Sequence, residues 1–154
     1  MADIVTMVHE LAAYERATQD CHLTETQLRA ALFAPHPAVF ALVTAHHGRV
    51  GGFALYFLNF STWEGVHGIY LEDLYVRPEL RGSGLGRALL TELARLAVAA
   101  GYARVDWSVL DWNEPSIAFY RALGAIAQDE WTGFRLSGAA LARVGAAPGA
   151  AAGR

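Results

Sequence analysis

One short stretch constrains this chain more than any other. Arg81-Gly82-Ser83-Gly84-Leu85-Gly86-Arg87 lies between a strand-like run that Pro78 stops and a long helical pattern. Three glycines in five residues remove side chains where a backbone must turn sharply or approach something closely. Their amides then face outward at a helix start, where unpaired N–H groups and the positive dipole end favour an anion such as a pyrophosphate. Arg81 and Arg87 can add charge. Two readings stand open here, an anion cradle and a flexible turn with a helix cap. Spacing excludes two other phosphate loops. A P-loop needs Gly-Lys-Ser/Thr, and this chain has no lysine, all 12 of its basic residues being arginine. A dinucleotide fingerprint runs G-x-G-x-x-G, whereas Gly82, Gly84 and Gly86 run G-x-G-x-G and follow a third strand.

The elements around this loop can be read from periodicity. Residues 4–17 place Ile4, Val8, Leu11 and Ala12 on one helical face. Thr24 and Gln27 have the spacing of a capping box, and the helix they open runs to about Phe33, before Pro35 and Pro37. Residues 38–46 are apolar and β-branched. The turn His47-Gly48-Arg49 joins them to the strand VGGFALYFLNF, so the pair reads as a hairpin. Gly51 and Gly52 mark a bulge or a close backbone approach. Ser61 to Gly65 reads as a loop and 67–76 as a third strand. A helix from Leu85 to Ala100 ends at Gly101. A strand is expected at 104–110, a helix from Asn113 with Pro115 near its start, and a last strand within 130–136. The order α-α-β-β-β-α-β-α-β predicts an α/β fold with a mixed sheet flanked by helices and right-handed crossovers. A single domain over 1–145 and a mobile Ala/Gly/Pro tail at 146–154 are expected.

Composition removes several function classes. The chain has 154 residues, 54% of them hydrophobic and 18% charged, with a formal net charge of -3. That excludes disorder for most of its length and argues against a nucleic-acid partner, which would normally meet a basic stripe. Without lysine there is no Schiff-base chemistry. Cys21 is the only cysteine, so no internal disulfide or Cys-rich zinc site forms. The six histidines show no H-E-x-x-H spacing, and no metal is expected. MADIVTMVHE lacks a basic segment followed by an apolar core, and no long apolar run exists. No signal peptide, no membrane partner and a cytoplasmic location are therefore expected.

Two motifs together resemble a known family. Arg81-x-x-Gly84-x-Gly86, after a strand and opening a helix, looks like the acyl-CoA pyrophosphate loop of the GNAT N-acetyltransferases. Asn113-Glu114-Pro115-Ser116-Ile117-Ala118-Phe119-Tyr120, followed by Leu123-Gly124-Ala125, looks like the later motif of that family. ELAAYE at 10–15, LTE at 23–25, Trp63, YLEDLYV at 70–76 and DWNEPSIAFY at 111–120 narrow the likeness to the diamine (spermidine/spermine) branch, which includes thialysine acetyltransferases. The likeness runs from about Asp3 to about Val144. Two departures stand out. Family members begin with a short strand before the first helix, and this chain starts in or just before that helix, so a GNAT-type sheet lacking its first strand is expected. Ser61 stands where polyamine enzymes carry an acid before the loop Trp, which points to a shorter or amino-acid-like substrate.

The resemblance implies acetyl-CoA as co-substrate, a small primary amine as acceptor, a ternary complex with direct attack, and a homodimer. Acetyl transfer to an amine needs the amine deprotonated, the oxyanion stabilised and the thiolate protonated. Tyr120 matches the family's acid; by residue type alone, an aromatic on a helix reads first as core. Glu72 is the candidate for amine deprotonation. Strand alternation puts Tyr70, Glu72 and Leu74 on one face and Leu71, Asp73 and Tyr75 on the other. A carboxylate in so apolar a strand is costly unless paired or used. Asp73, opposite, reads as structural or as a subunit contact, although the resemblance lets it approach the substrate. Leu74, Tyr75 and Val76 match the backbone that pairs with pantetheine. Gly82, Ser83, Gly84, Leu85, Gly86, Arg81 and Arg87 match the phosphate loop, and Asn113 a cofactor-arm contact; Ser116 suits either that arm or a helix first turn. Glu15, Trp63, Glu64 and Asp106 are candidates to meet a cationic amine. Competing readings are an acyl-CoA-binding domain without catalysis and a protein or peptide N-acetyltransferase.

Overall fold

In the computed structural model, which describes residues 1–146, the chain opens on helix α1 (Ala2–Tyr14). Ile4 and Met7 are buried, with Val8 and Leu11 half-buried, which is the i, i+3, i+4, i+7 stripe of an amphipathic helix. The helix is shorter than its sequence pattern, ending where Arg16 takes a positive φ of 60°. A 3-10 turn at Thr18–Asp20 leads to α2 (Glu25–Leu32). The capping box forms: Gln27 N–H donates to Thr24 Oγ1 at 3.3 Å and Thr24 N–H donates to Gln27 Oε1 at 2.8 Å.

Strands β1 (Phe40–His46) and β2 (Arg49–Ser61) make the expected hairpin. His47 and Gly48 both have positive φ, 48° and 77°, the geometry that suits a two-residue turn to the strand twist. Thr44 pairs with Gly52 and Ala45 with Val50, so Gly51 is an extra residue in β2. Both anticipated reasons for this glycine pair hold. A Cβ on Gly51 would meet Leu80 Cδ1 at 2.6 Å, and one on Gly52 would meet the Tyr75 carbonyl oxygen at 2.8 Å.

Strand β3 (Val66–Val76) pairs antiparallel with β2, and β4 (Val105–Asp106) pairs parallel with β3, giving the order β1-β2-β3-β4. The mixed sheet is the one expected. β4 is much shorter than the 104–110 run. Between β3 and β4 lie a 3-10 turn at Pro78–Leu80 and helix α3 (Leu85–Ala99), with Gly101 at positive φ past its end. Ile4, Met7 and Leu28 pack with Phe53, Leu55 and Tyr75 on one face of the sheet. α3, with Leu89, Leu90, Leu93 and Ala97 buried, packs against β1, β2 and β3.

The strand β3 corrects one expectation. Asp73 pairs with Leu55 and Leu71 with Tyr56, so Glu72 has no partner and is a bulge. Residues directly opposite share a face, so the bulge shifts the alternation by one. Tyr70 lies on the same face as Asp73 and Tyr75, with Phe57, Leu55 and Phe53 opposite them. Leu71 shares the other face with Leu74. Glu72 itself is exposed, not buried in an apolar strand.

These elements form a compact unit, Met1–Ser108; the residues from Val109 form a second. The second holds α4 (Glu114–Ala122) and α5 (Gly138–Gly145). Residues 130–136 hold no strand, contrary to expectation, and α5 was not anticipated. Apart from Ala146, the predicted tail lies outside the described residues.

Gly52→Ala tests the close approach of β2 to β3. The added methyl meets a backbone carbonyl that cannot swing away. A loss of about 2 kcal/mol or more is expected in urea unfolding; a change within about 0.5 kcal/mol would show that the strands separate freely.

Candidate active site

The glycine loop has the conformation its composition demands. Gly82 and Gly84 have φ of 78° and 88°, and nothing lies within 4 Å of where a Cβ would stand. Backbone conformation, not crowding, is what requires glycine there. Gly84 is the N-cap of α3, and Ala88 N–H donates to its carbonyl. The amides of Gly84, Leu85, Gly86 and Arg87 precede Ala88, the first with an intrahelical acceptor, and so open toward an anion. The Ser83 hydroxyl donates to the Leu80 carbonyl at 2.5 Å, tightening the turn. Arg87 is exposed. Arg81 is engaged: its Nε–H donates to the Val76 carbonyl at 3.1 Å, and its guanidinium stands 5.7 Å from the Tyr14 ring centre and 5.5 Å from that of Tyr75.

Just before the loop, β3 offers an open backbone edge. β4 pairs with β3 only at Ile69 and Tyr70. Among the described residues no strand therefore pairs with that side of Leu74, Tyr75 and Val76. An extended chain carrying amides can add there as a strand would. Burial and the adjacent Glu10 carboxylate hold the Tyr75 phenol above its usual pKa, with Arg81 opposing.

The carboxylates are the electrostatic centre of this unit. Burial pushes Asp73 up to about 6 from 3.8, and the charges of Glu72 and Glu15 push the same way. Glu15, at the end of α1, is also raised by burial. The carboxyl poised near neutrality is thus Asp73. A signal for this was present in the sequence: Ile69, Leu71, Leu74 and Val76 change parity across the pair Glu72-Asp73, which a regular strand cannot do while keeping them on one face.

The other candidates for an amine site divide. Trp63 and Glu64 are exposed in the β2–β3 loop. Ser61 is buried, and its hydroxyl accepts from Glu64 N–H at 3.2 Å, so it caps that loop. Asp106 accepts from Asn59 Nδ2 at 3.0 Å and pairs with Arg104 Nε at 2.7 Å. Its charge is already balanced. Among the described residues, no three His, Cys, Asp or Glu side chains gather as a metal site.

In the second unit, Asn113 is buried and caps α4, its Oδ1 accepting from Ser116 N–H at 3.4 Å. That single contact uses both residues that were singled out for the cofactor arm. Tyr120, half-buried on α4, lines a cleft of about 360 Å³ with Asp111, Glu114, Ile117 and Arg121. Among the described residues, no helix is long and apolar enough to cross a membrane.

Known proteins are similar to this chain in sequence and fold. The model of the acetyltransferase (GNAT) family matches residues 5–125. A thialysine N-epsilon-acetyltransferase from Bos taurus is 36% identical over 150 residues, covering 90% of this chain and 88% of the relative. An L-ornithine N5-acetyltransferase from Arabidopsis thaliana is 44% identical over 92 residues, covering 60% of this chain and 40% of that protein. Among solved structures, an integron cassette protein from the mobile metagenome of V. cholerae superposes with a TM-score of 0.78 at 29% identity. It covers 94% of this chain and 90% of its own.

Asp73 makes stability depend on pH in a stated direction. Below 3.8 the carboxyl is protonated in folded and unfolded chains alike and costs nothing extra. Between there and about 6 the unfolded chain releases the proton while the folded chain keeps it, so stability falls as pH rises. Asp73→Asn is therefore expected to stabilise the protein above that range, on the order of 1–3 kcal/mol. The gain should vanish in acid. Denaturation at both pH extremes measures it, and an equal effect at both would mean that charge is not the cause.

Proposed function

The chain belongs to the acetyltransferase (GNAT) family, and from that premise we propose that it transfers an acetyl group from acetyl-CoA to the primary amine of a small diamine, polyamine or lysine-like molecule. The observation that carries this reading is the set of carboxylates at the β3 bulge. Asp73, with Glu15 and Glu72 near it, gives a cationic amine a reason to bind, and a carboxyl near 6 can take a proton at neutral pH. The names of relatives, a thialysine and an ornithine acetyltransferase, support an amino-acid-like acceptor, as does Ser61 in place of an acid.

Acetyl-CoA supplies an acetyl group activated as a thioester. The residues present fit it. The left-handed glycines and the helix-opening amides of Gly82 to Arg87 would hold its phosphates, and the open edge at Leu74 to Val76 its amide-bearing arm. Asn113 and Ser116 join them on the strength of their motif. Asp73 receives the ammonium proton at its carboxylate, and the exposed Glu72 attracts the cation and can pass the proton by way of water. Glu15, Trp63 and Glu64 recognise the amine by charge and an aromatic face. Asp106 contributes through the cluster it forms with Asn59 and Arg104. The Tyr120 phenol is the proposed donor to the departing sulfur.

The same reading includes a homodimer and a cytoplasmic location. Exposed Ile126, Phe134, Leu136, Leu141 and Val144 support the dimer, because so many apolar side chains in water favour burial against a second copy. A lone cysteine is compatible with a reducing compartment.

Turnover with thialysine, ornithine, lysine, putrescine and spermidine tests the acceptor. The amino acids are expected to have the larger kcat/KM, and inactivity with all five would remove the substrate proposal. Tyr120→Phe is expected to lower kcat about 100-fold with CoA affinity unchanged; an unchanged kcat would sink the acid role. Asp73→Asn should abolish an acid limb near 6 in the pH profile. Light scattering should give twice the chain mass, and a monomer at all concentrations would end the dimer proposal.

A further inference from the structure

The glycines leave the direction of this loop weakly fixed, although the Ser83 hydroxyl tightens its turn against the Leu80 carbonyl. Gly82 and Gly84 are exposed and have no neighbour near a Cβ position, so packing does not set their direction. Glycines also have the most backbone freedom to lose when a ligand orders them. On one side α3 anchors the loop. On the other, the anchor is Arg81, which touches three separate things at once. Its Nε–H holds the Val76 carbonyl at the end of β3, and its guanidinium lies within cation–π range of both Tyr14 and Tyr75.

These two rings belong to different elements. Tyr14 is the last residue of α1, and Tyr75 is a buried core residue of β3. α1 is tied to the same strand end a second time. Arg77 Nη1 reaches Glu10 at 3.4 Å and Nη2 reaches Asp3 at 3.3 Å, while Nε–H donates to the Val50 carbonyl at 3.1 Å. Arg81 therefore extends a braced corner to the first residue of the loop.

We propose that Arg81 is a positioning residue. Its guanidinium, held by Val76, Tyr14 and Tyr75, presets the direction of the loop amides rather than contacting a phosphate itself. The inference rests on the reading that this loop holds the phosphates of acetyl-CoA. A brace needs the planar fork, both for stacking and for the Nε–H bond. A phosphate contact needs only positive charge, which lysine also provides.

Calorimetry with CoA on the full chain separates these. The wild type, Arg81→Met, Arg81→Lys, Tyr14→Leu and the Arg81→Met/Tyr14→Leu double variant are compared at several salt concentrations. The brace predicts a loss of CoA affinity of about tenfold in Arg81→Met. It predicts no rescue by lysine and a similar but smaller loss in Tyr14→Leu. The double variant should be no weaker than Arg81→Met alone, because both remove one strut. The salt dependence should match the wild type, and KM for acetyl-CoA should rise with kcat nearly unchanged. Melting curves check that each variant is folded. Rescue by Arg81→Lys, a shallower salt dependence in Arg81→Met, or wild-type affinity in Tyr14→Leu would each overturn the proposal. If the wild type itself failed to bind CoA, the function proposed above would fall first, and this inference with it.

Discussion

The single extra residue in β3 decides most of what this unit can do. With Glu72 bulged out of the ladder, the strand changes parity between Leu71 and Asp73. Leu71 and Leu74 can then face one side of the sheet while Asp73 and Tyr75 face the other, with Phe53 and Leu55. A regular strand would put Leu71 and Leu74 on opposite faces. The bulge therefore serves two cores and places a carboxylate at the margin of one of them.

That placement costs stability and creates chemistry from the same cause. Water is displaced from Asp73, and two further acids stand near it, so its proton is held to about 6. Nearby, the glycine loop spends conformational order in the other direction, leaving amides uncovered at the start of α3. Both features are unfavourable in a folded chain considered alone, and both become favourable with a partner of opposite charge. Arginines at 77 and 81 tie the end of β3 to α1 between them.

Local signals were legible where the physics is local. The Thr24–Gln27 box, the His47-Gly48 turn and the glycines at 51, 52, 82 and 84 each depend on a few neighbouring atoms or on a backbone conformation that few residues adopt. Strand expectations held less well. Residues 130–136 carry a strand-like composition, but a strand exists only where another pairs with it, and none does so there among the described residues. For the same reason the 104–110 run is reduced to Val105–Asp106. Site residues divide similarly. The glycines were identifiable from type and spacing. Alternation misplaced Glu72, because the bulge that exposes it depends on pairing with β2, and Asp106 is tied to Asn59, which is distant in the chain.

By itself, the sequence determined an α/β chain with a glycine loop opening a helix, the course of its second, third and fourth helices, and the position of its first hairpin. These follow from residue types whose backbone preferences are intrinsic. The tertiary structure alone decided which acid is half-buried, which arginine lies against aromatic rings, and which strand edge stays open. Each of those depends on register and on the approach of elements distant in the chain, and a shift of one residue in a strand reverses the outcome.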